Sequence, residues 1–119
     1  VGGVSTIPPV NQRGNAKAVL VAAIDDVEGP VPAGHFEYFQ AQGMPGEAGV
    51  LFGCPCGCGE LKSVGFDTHE SRRPRWHWDG NREVPTLTPS INILQFNEAG
   101  QQIGEHWHGF LTSGEFRSC

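Results

Sequence analysis

Three cysteines fall within five residues, Cys54-Pro55-Cys56-Gly57-Cys58, and two histidines flank one tryptophan, His106-Trp107-His108. Both segments carry side chains suited to holding a metal ion. Zinc takes thiolate and imidazole ligands, usually four in a tetrahedron, with bonds of about 2.3 Å to sulfur and about 2.0–2.1 Å to nitrogen. Gly57 and Gly59 permit the tight backbone that such a turn requires, with amide N–H groups directed at bound thiolates. The spacing is C-x-C-x-C rather than the common C-x2-C, so two pairings stand side by side. Cys54 and Cys58 clamp the ion with Cys56 beside them, or Cys56 and Cys58 are the pair. Three thiols this close are poorly placed to bridge one another as disulfides. With no secretory leader visible, a reducing compartment and metal binding are the expectation.

On a strand, residues two apart share a face at roughly 6.6 Å along the chain. His106 and His108 could therefore approach one ion, with Trp107 turned the opposite way into apolar packing. Cys119 closes the sequence eleven residues after His108. A hairpin over residues 103–118 would return it toward the histidine strand. The expected ligands of one Zn2+ are thus drawn from Cys54, Cys56, Cys58, His106, His108 and Cys119.

Cysteine-rich ligation favours a closed, structural site, whereas a catalytic zinc keeps one position for water. Should the zinc be catalytic, Glu60, Ser90, Glu105 and His106 are the candidate helpers. None has a diagnostic spacing, and no H-E-x-x-H motif is present. The segment Pro85-Thr86-Leu87-Thr88-Pro89-Ser90 suggests a phosphate or hydroxyl site. Its plainer reading is a kinked edge strand whose threonines satisfy local backbone groups.

The elements that must position these residues are short strands. Among 119 residues, 17 are Gly and 9 are Pro, which argues against long helices. Residues 17–24 form an apolar run expected as a buried strand, with a short helix as the alternative. Residues 35–42 read as a half-buried strand with Phe36 and Tyr38 on one face. Residues 49–53 and 60–66 flank the cysteine turn and should pair as a hairpin. Residues 75–79 alternate with Trp76 and Trp78 on one face, and Asp79-Gly80-Asn81 is a turn. Residues 86–94 place Leu87, Ile91 and Ile93 together, and Pro89 requires an edge or a bulge. Residues 103–111 and 115–118 flank Thr112-Ser113-Gly114 as a second hairpin. The three tryptophans are expected in the core rather than as an aromatic ligand platform. His35 and His69 have no ligand spacing and are expected to face solvent or bond locally.

The net charge of −5 disfavours non-specific contact with a phosphate backbone. The arginines of Ser71-Arg72-Arg73-Pro74-Arg75 read as a solvated loop. No apolar run reaches the ~18–20 residues that span a bilayer. Residues 1–16, with Pro8-Pro9, read as an extended arm ahead of one domain over 17–119. Such an arm is expected to lie on a protein partner, another subunit or a virion or host protein.

The strings F-G-C-P-C-G-C-G, P-T-L-T-P-S-I and H-W-H-G-F-L-T-S-G-E-F, with Trp76 between the first two and Cys119 at the end, resemble a family of small uncharacterised proteins of bacteriophages and bacteria. Some phage members carry the label ammonia monooxygenase. Related bacterial proteins resemble neighbours of ubiquitin-like conjugation genes. The resemblance covers roughly residues 50–119. In relatives the turn can shorten to C-P-G-C-G, which implies Cys54 and Cys58 as ligands. The relatives' histidine and closing cysteine match His108 and Cys119. Some relatives have a cysteine where Glu105 stands here, and His106 would then substitute. The expectation is a mainly β protein of small antiparallel hairpins stapled by structural zinc, acting through protein contacts in a virion or host cytoplasm. The alternative is a zinc-dependent hydrolase or peptidase.

Overall fold

The computed structural model describes residues 14–24, 29–43, 45–67 and 75–119. Most of the expected arm (1–13), His69 and arginines 72 and 73 lie outside the described residues. Nine strands and no α-helix occur among those described: β1 (Ala16–Lys17), β2 (Val19–Leu20), β3 (His35–Phe39), β4 (Gly49–Gly53), β5 (Leu61–Gly65), β6 (His77–Trp78), β7 (Leu87–Phe96), β8 (Gln102–Thr112) and β9 (Glu115–Ser118). They form a five-stranded sheet ordered β1-β9-β8-β7-β6 and a four-stranded sheet ordered β2-β3-β4-β5. Neighbours are antiparallel except β2 and β3, which run parallel. The mainly β expectation holds, and no described helix is long and apolar enough to cross a membrane.

Aromatic side chains join the sheets. Phe52 of β4 stacks on Phe116 of β9 with centroids 5.1 Å apart, and Phe66 stacks on Trp78 at the same separation. Trp107, Phe36, Phe52, Phe66 and Phe116 are fully buried, and Trp76 and Trp78 pack against them. Truncating such a ring to Ala typically costs about 3–5 kcal/mol. The alternation foreseen for residues 35–42 is seen over β3, where Phe36 and Tyr38 are buried.

Residues 17–24 are corrected. Instead of one buried strand, the chain crosses from one sheet to the other at Ala18. The Ala18 N–H donates to Gly114 O and the Val19 N–H to Gly34 O. Each side of the crossing keeps a strand of two residues, and Val19 and Leu20 face solvent. Apolar content alone cannot register a change of sheet in the middle of a run.

The β4–β5 hairpin carries the cysteine turn at its end, and the β8–β9 hairpin turns at Ser113-Gly114, both with positive φ. A two-residue loop of that kind matches the strands' twist. The β7–β8 pair is the longest and the least regular. Leu87 pairs with Leu111 and Ile91 with Gly109, so Thr88, Pro89 and Ser90 stand opposite Phe110 alone. Ile93 pairs with Trp107 and Leu94 with Glu105, so His106 is an extra residue on β8. Pro89 therefore sits in a bulge of an interior strand rather than at an edge, one of the two placements its missing N–H allows. Beyond these bulges, the described strands give the hairpin no further neighbour, and Leu94, Phe96 and Ile103 stay exposed on its outer part.

Candidate functional site

The cysteine turn is built by local chemistry. Pro55 occupies the second position of a turn closed by Gly57 N–H donating to Cys54 O at 3.0 Å. Gly57 takes φ +86°, a conformation that side chains resist. Cys54 N–H donates to Glu60 O at 2.9 Å, tying the turn to the start of β5. Gly14 packs on the outside: a Cβ there would stand 2.5 Å from Pro55 O and 2.9 Å from the Cys56 Cα. Gly14 O also accepts the Trp107 indole N–H at 3.0 Å.

Four of the expected ligands come together. One donor atom from each of Cys54, Cys56, Cys58 and His106 lies within 4.8 Å of every other. Cys54 Sγ is 3.3 Å from Cys56 Sγ, and Cys56 Sγ is 3.3 Å from His106 Nε2. A tetrahedron with ~2.3 Å metal–sulfur bonds has edges of roughly 3.8 Å, so the cluster is near the size of a metal site. Cys54 and His106 are buried, Cys56 is half-buried and Cys58 is exposed. Burial pushes the Cys54 and Cys56 thiols above their ordinary range, the adjacent thiols adding to this at Cys54. A bound cation would reverse that balance by stabilising thiolates. The cluster joins the β4–β5 hairpin to the β7–β8 hairpin.

The other two expected ligands are placed elsewhere. The Cys119 N–H donates to His108 O at 2.9 Å and its residue is exposed. His108 lies against different partners: Nε2 is 2.9 Å from Ser90 Oγ, and Nδ1 is 3.4 Å from Glu105 Oε2. The carboxylate favours the tautomer with hydrogen on Nδ1, which leaves Nε2 to accept from the Ser90 hydroxyl. A hydroxyl, an imidazole and a carboxylate thus stand in one row.

Strand parity explains the separation. His108 is opposite Asn92 and Glu105 is opposite Leu94. Asn92 and Leu94 are two apart on β7 and share its outer face. Glu105 and His108 therefore share that face too, although they are three apart in sequence. Only the extra residue between their partners makes this so. The same extra residue, His106, is turned inward beside buried Trp107. On the facing strand, the bulge at Thr88–Ser90 sets Ser90 against His108, and Trp76 Nε1–H holds the Ser90 carbonyl at 3.1 Å.

The sequence pointed to Ser90 and Glu105 only as separate helpers and to His108 as a ligand. Pro89 was the available signal, since a proline inside a strand marks a bulge and a bulge re-aims its neighbours. Of the other two helpers, His106 sits in the cysteine cluster, and Glu60 is held by Lys62 at 2.7 Å, which keeps its carboxyl below the usual range.

A family model described as bacterial ubiquitination-like system serine protease (BubE) matches residues 24–119. Neither a curated protein nor a solved structure matches the chain.

Proposed function

The chain belongs to the BubE family, the bacterial ubiquitination-like system serine proteases, and on that premise we propose that it is a serine protease with Ser90 as nucleophile, His108 as general base and Glu105 as the acid that orients it. The observation that carries this reading is the 2.9 Å contact between Ser90 Oγ and His108 Nε2, with Glu105 on the other ring nitrogen. Ser90 Oγ attacks the carbonyl carbon of an amide bond, its proton passes to His108 Nε2, and the carbonyl electron pair moves to oxygen. Collapse of that adduct breaks the C–N bond, and His108 returns the proton to the departing amine. Water, activated by His108, then releases the acyl group and restores Ser90. The family description supports an amide within a ubiquitination-like system as the substrate bond. The row lies on the open face of a sheet, with the His108 and Glu105 side chains 36% and 41% exposed. An open face suits an extended polypeptide better than a small molecule.

The second element of the reading is a zinc site formed by Cys54, Cys56, Cys58 and His106. Three soft sulfurs and one imidazole suit zinc better than a hard cation. Four protein donors close the sphere, so bound zinc would supply a cross-link between two hairpins rather than a reactive water. That composition supports a structural role and weighs against a zinc-dependent hydrolase.

A fluorophosphonate probe tests the reading on the purified protein. One adduct is expected, on Ser90, by mass spectrometry. Ser90→Ala should abolish it while leaving metal content and melting temperature unchanged. No adduct, or an adduct on another residue, would remove Ser90 from the role.

A further inference from the structure

We propose that Asn92 is a further catalytic residue, its carboxamide N–H donating to the oxyanion that forms when Ser90 attacks. The inference rests on Ser90 being the nucleophile and adds the group that receives the displaced charge.

Three observations converge on Asn92. It pairs directly with His108 across the β7–β8 ladder, and side chains directly opposite in an antiparallel pair have Cβ atoms about 4.5–5.5 Å apart. It follows Ser90 by two residues, past the bulge, where Ile91–Gly109 and Asn92–His108 are in regular register. Residues so spaced share a face, so Ser90, His108 and Asn92 form a triangle on the outer surface of the sheet. Asn92 is also exposed, so an incoming acyl group can reach it.

The chemistry of the triangle assigns the roles. Both ring nitrogens of His108 are already engaged, one by Ser90 and one by Glu105. The Ser90 carbonyl accepts from Trp76. Glu105 has only acceptor oxygens when ionised and would repel an oxyanion. Asn92 is neutral, carries two N–H donors and is not needed to hold the base. As Oγ bonds to the carbonyl carbon, the C=O electron pair moves onto oxygen, and a donor fixed nearby is worth more to that anion than to the ground-state carbonyl. When the adduct collapses, the pair returns to re-form C=O and the leaving group departs with the proton from His108. Asn92 exchanges no proton in either direction.

An oxygen-to-sulfur comparison tests this, because a thiocarbonyl is a poor hydrogen-bond acceptor. The probes are p-nitrophenyl acetate and its thiono analogue, with fluorophosphonate labelling alongside. Asn92→Ala should lower kcat on the oxo ester by roughly 10²–10³-fold, the usual loss for one oxyanion donor, with KM little changed. The thiono ester should lose far less, so the oxo preference of the wild type collapses. Metal content and melting temperature should stay at wild-type values, which a merely structural role would not combine with a selective loss on oxygen. Equal losses on both esters, or no loss, would overturn the assignment and leave a backbone N–H of the bulge as donor. A wild type that labels at Ser90 while Asn92→Ala reacts equally well sinks this inference alone. A wild type inert to every probe sinks the nucleophile assignment with it.

Discussion

His106 and His108 are separated by one residue, yet their surroundings have little in common. His106 is 2% exposed and reaches inward to Cys56, beside two further thiols. His108 is half-exposed and reaches outward to Ser90 and Glu105. The inner imidazole belongs to a cluster in which each donor lies within 4.8 Å of every other. The outer one has a hydroxyl on one nitrogen, a carboxylate on the other and solvent alongside. Residue type is the same in both places. Depth and neighbours separate them, and the proposed roles of proton carrier and metal ligand follow that separation.

Exchanging the two histidines for alanine tests the contrast most severely. His108→Ala should cut amide or ester cleavage by about 10⁴-fold or more, as loss of a catalytic base does, with metal content unchanged. His106→Ala should do the reverse: metal falls below one ion per chain by elemental analysis, and the melting temperature drops by roughly 10 °C or more. A His108→Ala protein that also loses its metal would join the two regions into one site and break the contrast.

Glu105→Gln sharpens the outer side. The carboxylate is half-exposed and 3.4 Å from the ring, so its loss should cost about 10²-fold in kcat, below the ~10⁴-fold seen for a buried triad acid. Steady-state kinetics at neutral pH would show it, and no change at all would reduce the row to a Ser–His pair.

Gly14→Ala probes the inner side from without. Its Cβ would press on Pro55 O and the Cys56 Cα, so the turn must shift or the backbone at Gly14 must lift off Trp107. Overpacking of this kind costs about 1–3 kcal/mol. Lower metal affinity by competition with a chelator is expected, while fluorophosphonate labelling of the folded protein persists.

The smallest effect concerns pH, at a distance from both histidines. Burial pushes the Tyr38 phenol up to about 12, and its hydroxyl donates to Arg82 O at 2.9 Å. The native state therefore keeps this proton when the unfolded chain releases it near pH ~10. The phenol's contribution is whole below that value and fades as pH climbs toward about 12. Tyr38→Phe should flatten the alkaline fall in melting temperature across that window. An unaltered profile would place the sensitive group elsewhere.

Much of this arrangement was legible beforehand, and what escaped has one cause. The cysteine turn, its flanking strands and the closing hairpin each announce themselves through local chemistry: proline and glycine at fixed turn positions, and alternating apolar side chains. Donor types placed Cys54, Cys56, Cys58 and His106 among the candidates, but they named His108 and Cys119 equally, and only the fold separates the two sets. The pairing of Glu105 with His108 did not follow, because a regular strand puts residues three apart on opposite faces. Ser90 met the same obstacle, since three residues of β7 share one opposite residue. Register is a property of two strands together, and neither strand's own sequence states it. Pro89 gave the one local hint, a bulge whose direction it could not fix. The run 17–24 failed for a related reason: it changes sheets at Ala18 through hydrogen bonds to distant Gly114 and Gly34.

The surplus residue on β8 has a genetic reading. Removing the single codon for His106 would bring Glu105 two places before the other histidine, which is the ordinary strand spacing for a shared face. The acid would still meet its imidazole, Trp107 would keep Ile93 opposite, and the inner cluster would lose one of its four donors. Inserting one codon at the same place runs the history forward, adding an inward ligand without disturbing the residues on either side. A lineage could thus gain or shed the fourth donor in one in-frame step while the outer row of side chains passes through intact.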